Sequence, residues 1–231
     1  MSERGWAVAA SIFGALTLAT FVAFALLPEM HAASACLPPG SVVQFELARN
    51  DADIAALFGA PDSACRPLAV AAMDAVNTLD VRFFIPIYTL FCLCAVGFLA
   101  RGRFRGLAWI GASAALVALV GDYVETFALL DTTRVLDDPS ALPLLMSATL
   151  LGAWTKFAAL AVHALICAGL CWTGTPKRRV LGLVLLLPTP GVLAAAYDHH
   201  ALAALMNGAF GLAWAALLIA AVLGTLRSKP A

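Results

Sequence analysis

Asp122 and Glu125 stand three residues apart in a long apolar run, a spacing that puts both carboxylates on one face of a helix. Lys156 interrupts a second apolar run. An ionised side chain is costly in hydrocarbon, so groups at such positions turn inward and take partners. Two carboxylates one turn apart also oppose each other's ionisation, which lets one of them keep a proton. Asp122 and Glu125 are therefore candidate acid/base groups. Lys156 is their candidate counter-ion and a group able to orient or neutralise an anionic substrate. Its aliphatic stem can carry the charge several ångströms along the helix.

Further polar residues fall near the same ends of other apolar runs. Asp80 and Arg82 begin one run, and Tyr88 lies about two turns further along it. Tyr197, Asp198, His199 and His200 form a short connection, with Asn207 less than two turns beyond. Asp80, Asp122, Glu125, His199 and His200 offer the oxygen and nitrogen donors that suit a divalent Zn, Mn or Fe ion. Such a cofactor would activate water against a lipid or lipid-linked substrate. Arg82, Tyr88, Tyr197 and Asn207 are the candidate substrate-binding residues. Each also has a plainer use: Asp80 and Arg82 as a helix-end pair, the tyrosines as interfacial packing, adjacent histidines as a wet turn. His163 lies deeper and reads as a satisfied core histidine.

Three uses stay open. The first is a metal-dependent hydrolase or transferase with a polar outer-leaflet pocket. The second is an ion- or proton-coupled transporter. The third is a non-catalytic subunit whose charges lock helices together or bind a membrane-protein partner or a second copy. The chain has no H-E-x-x-H, G-x-G-x-x-G, phosphate-loop, nucleophile-elbow or C-x-x-C-H motif.

The elements that must position these groups follow from composition. Of 231 residues, 62% are apolar and 12% charged, against about 25% charged in a soluble domain. Too few charges remain to cover a water-facing surface. Runs of about 20 apolar residues cross a bilayer as helices. Residues 6–27, 83–100, 107–130, 142–172, 180–197 and 202–226 meet that length. The expected fold is all-α, a polytopic bundle of six transmembrane helices. Its parts are a first helix over 1–27, a cap loop over 28–80 and a five-helix region over 81–231.

Orientation follows from Lys and Arg. Arg4, Arg101, Arg103, Arg105, Lys177, Arg178, Arg179, Arg227 and Lys229 fall on one side, with Glu3 its only acid. The other side carries most of the carboxylates. This predicts both termini in the cytoplasm of a bacterium, a location in the inner membrane, and a periplasmic or extracellular 28–80 loop. The arginines near residue 103 suit anionic headgroups, so membrane lipids are expected partners. Nothing forms the clustered basic footprint that nucleic acid requires. Ala33–Ser34–Ala35 before Cys36 resembles a cleavage site, but the long preceding run favours a retained anchor.

Cys36 and Cys65 are the two cysteines of the cap loop, and an oxidising compartment predicts a disulfide between them. Cys92, Cys94, Cys167 and Cys171 read as packing residues. Pro188 and Pro190 predict an interruption of the fifth span.

Overall fold

The fold is described from a computed structural model, covering residues 2–100, 102, 104–138 and 140–227. Arg101, Arg103 and Lys229 of the basic segments lie outside the described residues. The chain is all-α, with no strand among the described residues. Six helical stretches are long and apolar enough to cross a membrane. In chain order the helices are α1 (Glu3–Ala25), α2 (Pro28–Ala32), α3 (Ser41–Glu46), α4 (Asp51–Phe58), α5 (Cys65–Leu79), α6 (Ile85–Ala100), α7 (Arg105–Arg134), α8 (Leu142–Trp172), α9 (Pro176–Leu185), α10 (Pro188–Tyr197) and α11 (His199–Arg227).

The second span begins earlier than apolarity alone indicates. Helix α5 runs through a π-helical turn, Asp80–Phe84, into α6, so the stretch is continuous from Cys65 to Ala100. Ala69, Ala72, Met73, Val76 and Asn77 are buried on α5, the i, i+3, i+4 pattern of one helical face. Polar residues on its other face lower the hydropathy, so apolar length alone marks the span only from residue 83. The π turn has a local cause. Pro86 has no amide to donate and its ring crowds the carbonyl four residues back. The ladder slips by one residue just before it, and Ile85 N–H reaches Asp80 O.

The proline break in the fifth span is present. Helix α9 ends at Leu185 and α10 starts at Pro188. Proline is tolerated at a helix start, where no amide partner is needed.

The chain divides into two compact units. The first comprises Met1–Leu18, Pro86–Leu119 and Phe157–Ala231. Its core is apolar, with Ala7, Ala10, Phe91, Leu99, Cys167, Leu170, Leu185, Ala213 and Leu217 buried together. Gly97 lets Trp6 lie against its helix: a Cβ there would come 2.7 Å from the indole. The free cysteines of the chain, Cys92, Cys94, Cys167 and Cys171, are all buried in this unit.

The second unit comprises Ala19–Ile85 and Val120–Lys156. It holds the cap. Phe45, Ile54, Leu57 and Phe58 of α3 and α4 pack with Met73, Leu129, Leu142 and Met146. Phe45 meets Phe58 edge-on at 5.0 Å. Asn50 caps α4, its side-chain oxygen accepting from Asp53 N–H at 3.1 Å. The expected Cys36–Cys65 disulfide is present, with a Cα–Cα distance of 5.4 Å. Arg66, beside it, donates to Asp137 at 2.6 Å and to Gly59 O at 3.1 Å.

Candidate functional site

The site is built where α7 and α8 nearly touch. A Cβ on Gly152 would lie 2.6 Å from both Glu125 N and Gly121 O, and one on Gly121 would lie 2.8 Å from Lys156 N. Only two glycines allow so close a backbone approach. Lys156 lies one turn beyond Gly152, and Asp122 and Glu125 sit on the Gly121 face of α7. The close crossing therefore brings one cation against two anions.

Lys156 Nζ donates to Glu125, 2.9 Å from Oε1 and 2.8 Å from Oε2. It also lies 3.2 Å from Asp122 Oδ1 and 3.4 Å from Glu46 Oε2. Asp122 is 2% exposed, Glu125 1% and Lys156 6%. These are packed ion pairs rather than the walls of an open cleft. Asp80 joins through Thr126, whose hydroxyl donates to Asp80 Oδ2 at 3.3 Å. The fields of Asp122 and Lys156 both reach Asp80. Its other oxygen, Oδ1, is buried and makes no hydrogen bond within the described residues. Two more bonds hold this part of the second span to α7: Thr133 Oγ1 donates to Asp74 at 2.6 Å, and Tyr123 OH donates to Val81 O at 3.4 Å.

Among the described residues, four carboxylates thus lie in the field of one ammonium. If all were ionised, the group would carry an excess of three negative charges. In apolar surroundings that excess is not sustainable without protons or added cations. Glu46 belongs to the cap, and burial pushes its carboxyl above the usual range, with Lys156 pulling the other way.

Glu46 is the member that sequence reasoning missed. Its only signal was an acid between Phe45 and Leu47, inside a mostly apolar piece of the cap. Thr126 and the two glycines were also missed, since neither residue type marks chemistry by itself.

The remaining candidates are placed as follows. Arg82 and Asn207 are exposed, and Tyr197 is 89% exposed. Tyr88 is buried in the first unit, its ring stacked on Trp214 at 5.4 Å. His199 is buried at the start of α11, also in the first unit. The metal-ligand expectation for His200 lies outside the described side chains. Among the described residues, no group of three or more His, Cys, Asp or Glu side chains is arranged to hold a metal ion.

Comparison of the chain with protein-family models, with curated proteins and with solved structures finds no match.

Proposed function

We propose that this polytopic membrane protein is an ion- or proton-coupled transporter whose coupling site is the carboxylate group around Lys156. One observation carries the reading: Glu46, Asp122 and Glu125 all touch a single buried lysine, with Asp80 beside them. Lys156 offsets one negative charge. The others must be balanced by protons or small cations, and that occupancy is the variable a transporter needs. Each proton or cation taken up changes the attraction among the cap, α7 and α8. A change in binding is thereby converted into a change in helix contacts. The basic segments support a cytoplasmic location for both termini in a bacterial inner membrane, with the cap on the outer side.

Metal-dependent hydrolysis or transfer on a lipid is the weaker reading. The carboxylates that would ligate the ion are engaged by Lys156, and no metal-holding group occurs among the described side chains. A purely structural role is favoured by the short Lys156–Glu125 contacts, which would lock α7 to α8.

A pH-jump experiment on protein in lipid nanodiscs, read with an indicator dye, separates these uses. Transport coupling expects proton uptake by the folded wild type, reduced in Asp122→Asn and Glu125→Gln, or uptake displaced by sodium. Equal, sodium-insensitive uptake in all three folded proteins would overturn it. Stoichiometric metal in purified wild type, lost in both variants, would restore the enzymatic reading.

A further inference from the structure

The buried carboxylates need a route to water, and the exposure of the side chains around Lys156 points toward the cap. Three carboxylates are in direct contact with Lys156, making a set of four side chains. Their side-chain exposure rises from 1% at Glu125 through 3% at Asp122 and 8% at Lys156 to 13% at Glu46. Glu46 also makes the longest of the contacts, 3.4 Å. The other three are fixed on helices of 30 and 31 residues that cross at glycines. Glu46 alone belongs to a six-residue helix of the cap.

That short helix is held by its neighbours rather than by its own length, since one and a half turns are unstable alone. Phe45 and Leu47, on either side of Glu46, are 1% and 0% exposed. The Cys36–Cys65 disulfide closes the segment that contains both α3 and α4. Arg66 ties the end of that segment to Asp137. The backbone around Glu46 is therefore anchored at the cap core and at the disulfide. The carboxylate hangs from that anchor over the Lys156 ammonium.

We propose that Glu46 is the stopper of the site: its side chain, positioned by the disulfide-closed cap, fills the passage between water and the Lys156 group, and ions pass when it swings away. The proposal rests on the transport reading above and adds the place and direction of access. The stopper acts by occupying space. A residue of the same shape keeps the passage shut, and a smaller one opens it. Loosening the disulfide anchor opens it as well, because the cap core then holds α3 less firmly.

The test uses a cysteine at Thr126, a residue 1% exposed that touches Asp80 inside the group. Full-length Thr126→Cys protein in nanodiscs is treated with a cationic, membrane-impermeant methanethiosulfonate. The parent chain with its buried native cysteines gives the background. Adding Glu46→Ala should raise the modification rate at least ten-fold. Adding Glu46→Gln should leave it within about two-fold. Cys36→Ser with Cys65→Ser, in the same reporter background, should raise it in the direction of Glu46→Ala. Glu46→Ser serves if Glu46→Ala does not fold.

A rate that ignores both small substitutions overturns the stopper, as does a reporter that stays unreactive in every background. A rate raised equally by Glu46→Gln and Glu46→Ala also overturns it, because charge rather than bulk would then close the passage. Proton uptake is measured on the matching Glu46 variants that keep the native Thr126. Uptake retained while the reporter ignores Glu46 removes the stopper and leaves transport standing. Uptake absent while the reporter responds to Glu46→Ala removes transport and leaves the cap as a closure over a buried ion group.

Discussion

The two units of the molecule treat buried polar groups in opposite ways. In the first, His163 is settled locally. Its Nδ1 lies 2.9 Å from Gly111 O, a pure acceptor, so that nitrogen carries the hydrogen. Nε2 then accepts from the Cys167 thiol at 3.4 Å. Arg178 donates to Leu99 O, near the end of α6, at 3.0 Å. His163 has a neutral partner on each ring nitrogen, and the half-buried Arg178 keeps its charge while its guanidinium rests on a backbone carbonyl. In the second unit, Lys156 faces Glu46, Asp122 and Glu125 at once, with Asp80 close by. Satisfied singles read as structure. An unequal count of charges reads as a group that exchanges something with its surroundings, and function is therefore sought in the second unit.

The sharpest way to break this comparison is to remove the shared cation. Lys156→Met leaves the carboxylates with no ammonium, and loss of one partner from a buried ion pair costs about 3–5 kcal/mol. We expect the folded yield to collapse at neutral pH and to recover in part in acid, as carboxylates protonate. Size-exclusion profiles across pH check this. A variant as stable as the wild type at every pH would show that the charges are not coupled.

The next effect is at the disulfide. Cys36→Ser with Cys65→Ser removes the cross-link of the cap, an expected loss of about 2–4 kcal/mol. The loss should fall on the second unit, so limited proteolysis should cut between residues 36 and 65 first. Cuts appearing first in 157–227 would contradict it.

A smaller effect compares glycines on one helix. Gly152→Ala places a methyl 2.6 Å from backbone atoms of α7, whereas a Cβ on Gly169 meets nothing within 4 Å. Overpacking of this kind costs about 1–3 kcal/mol. Gly152→Ala should lower the melting temperature and change proton uptake. Gly169→Ala should do neither.

The smallest effect is the pH slope at Glu46. Its carboxyl is raised above the ordinary 4.5 by burial. A raised carboxyl binds its proton more tightly in the folded cap than in the unfolded chain. Its contribution to stability is thus complete below about 4.5 and is lost as pH rises through the higher folded value. Glu46→Gln should flatten that part of the stability curve, so the difference between variant and wild type grows from pH 4 toward neutrality. A constant difference would remove Glu46 from the titrating group.

Much of this was legible in the chain. Lipid length fixes the six apolar stretches, and the helical period puts Asp122 and Glu125 on one face. The cost of isolated charge requires Lys156 to meet them, and it does so at 2.8 and 3.2 Å. The place of Cys36 and Cys65 in one loop, for which an oxidising compartment is expected, pointed to the disulfide that is present. These conclusions depend on local periodicity or on a solvent penalty that acts on each residue separately, and both can be read along a sequence. Tertiary structure alone decided that Glu46 completes the group, that Thr126 brings in Asp80, and that Tyr88 is stacked on Trp214 instead. Those outcomes depend on how closely two helices approach and on where a loop returns. Such distances are set by packing between residues far apart in the chain, at glycines whose lack of a side chain gives the sequence nothing to announce.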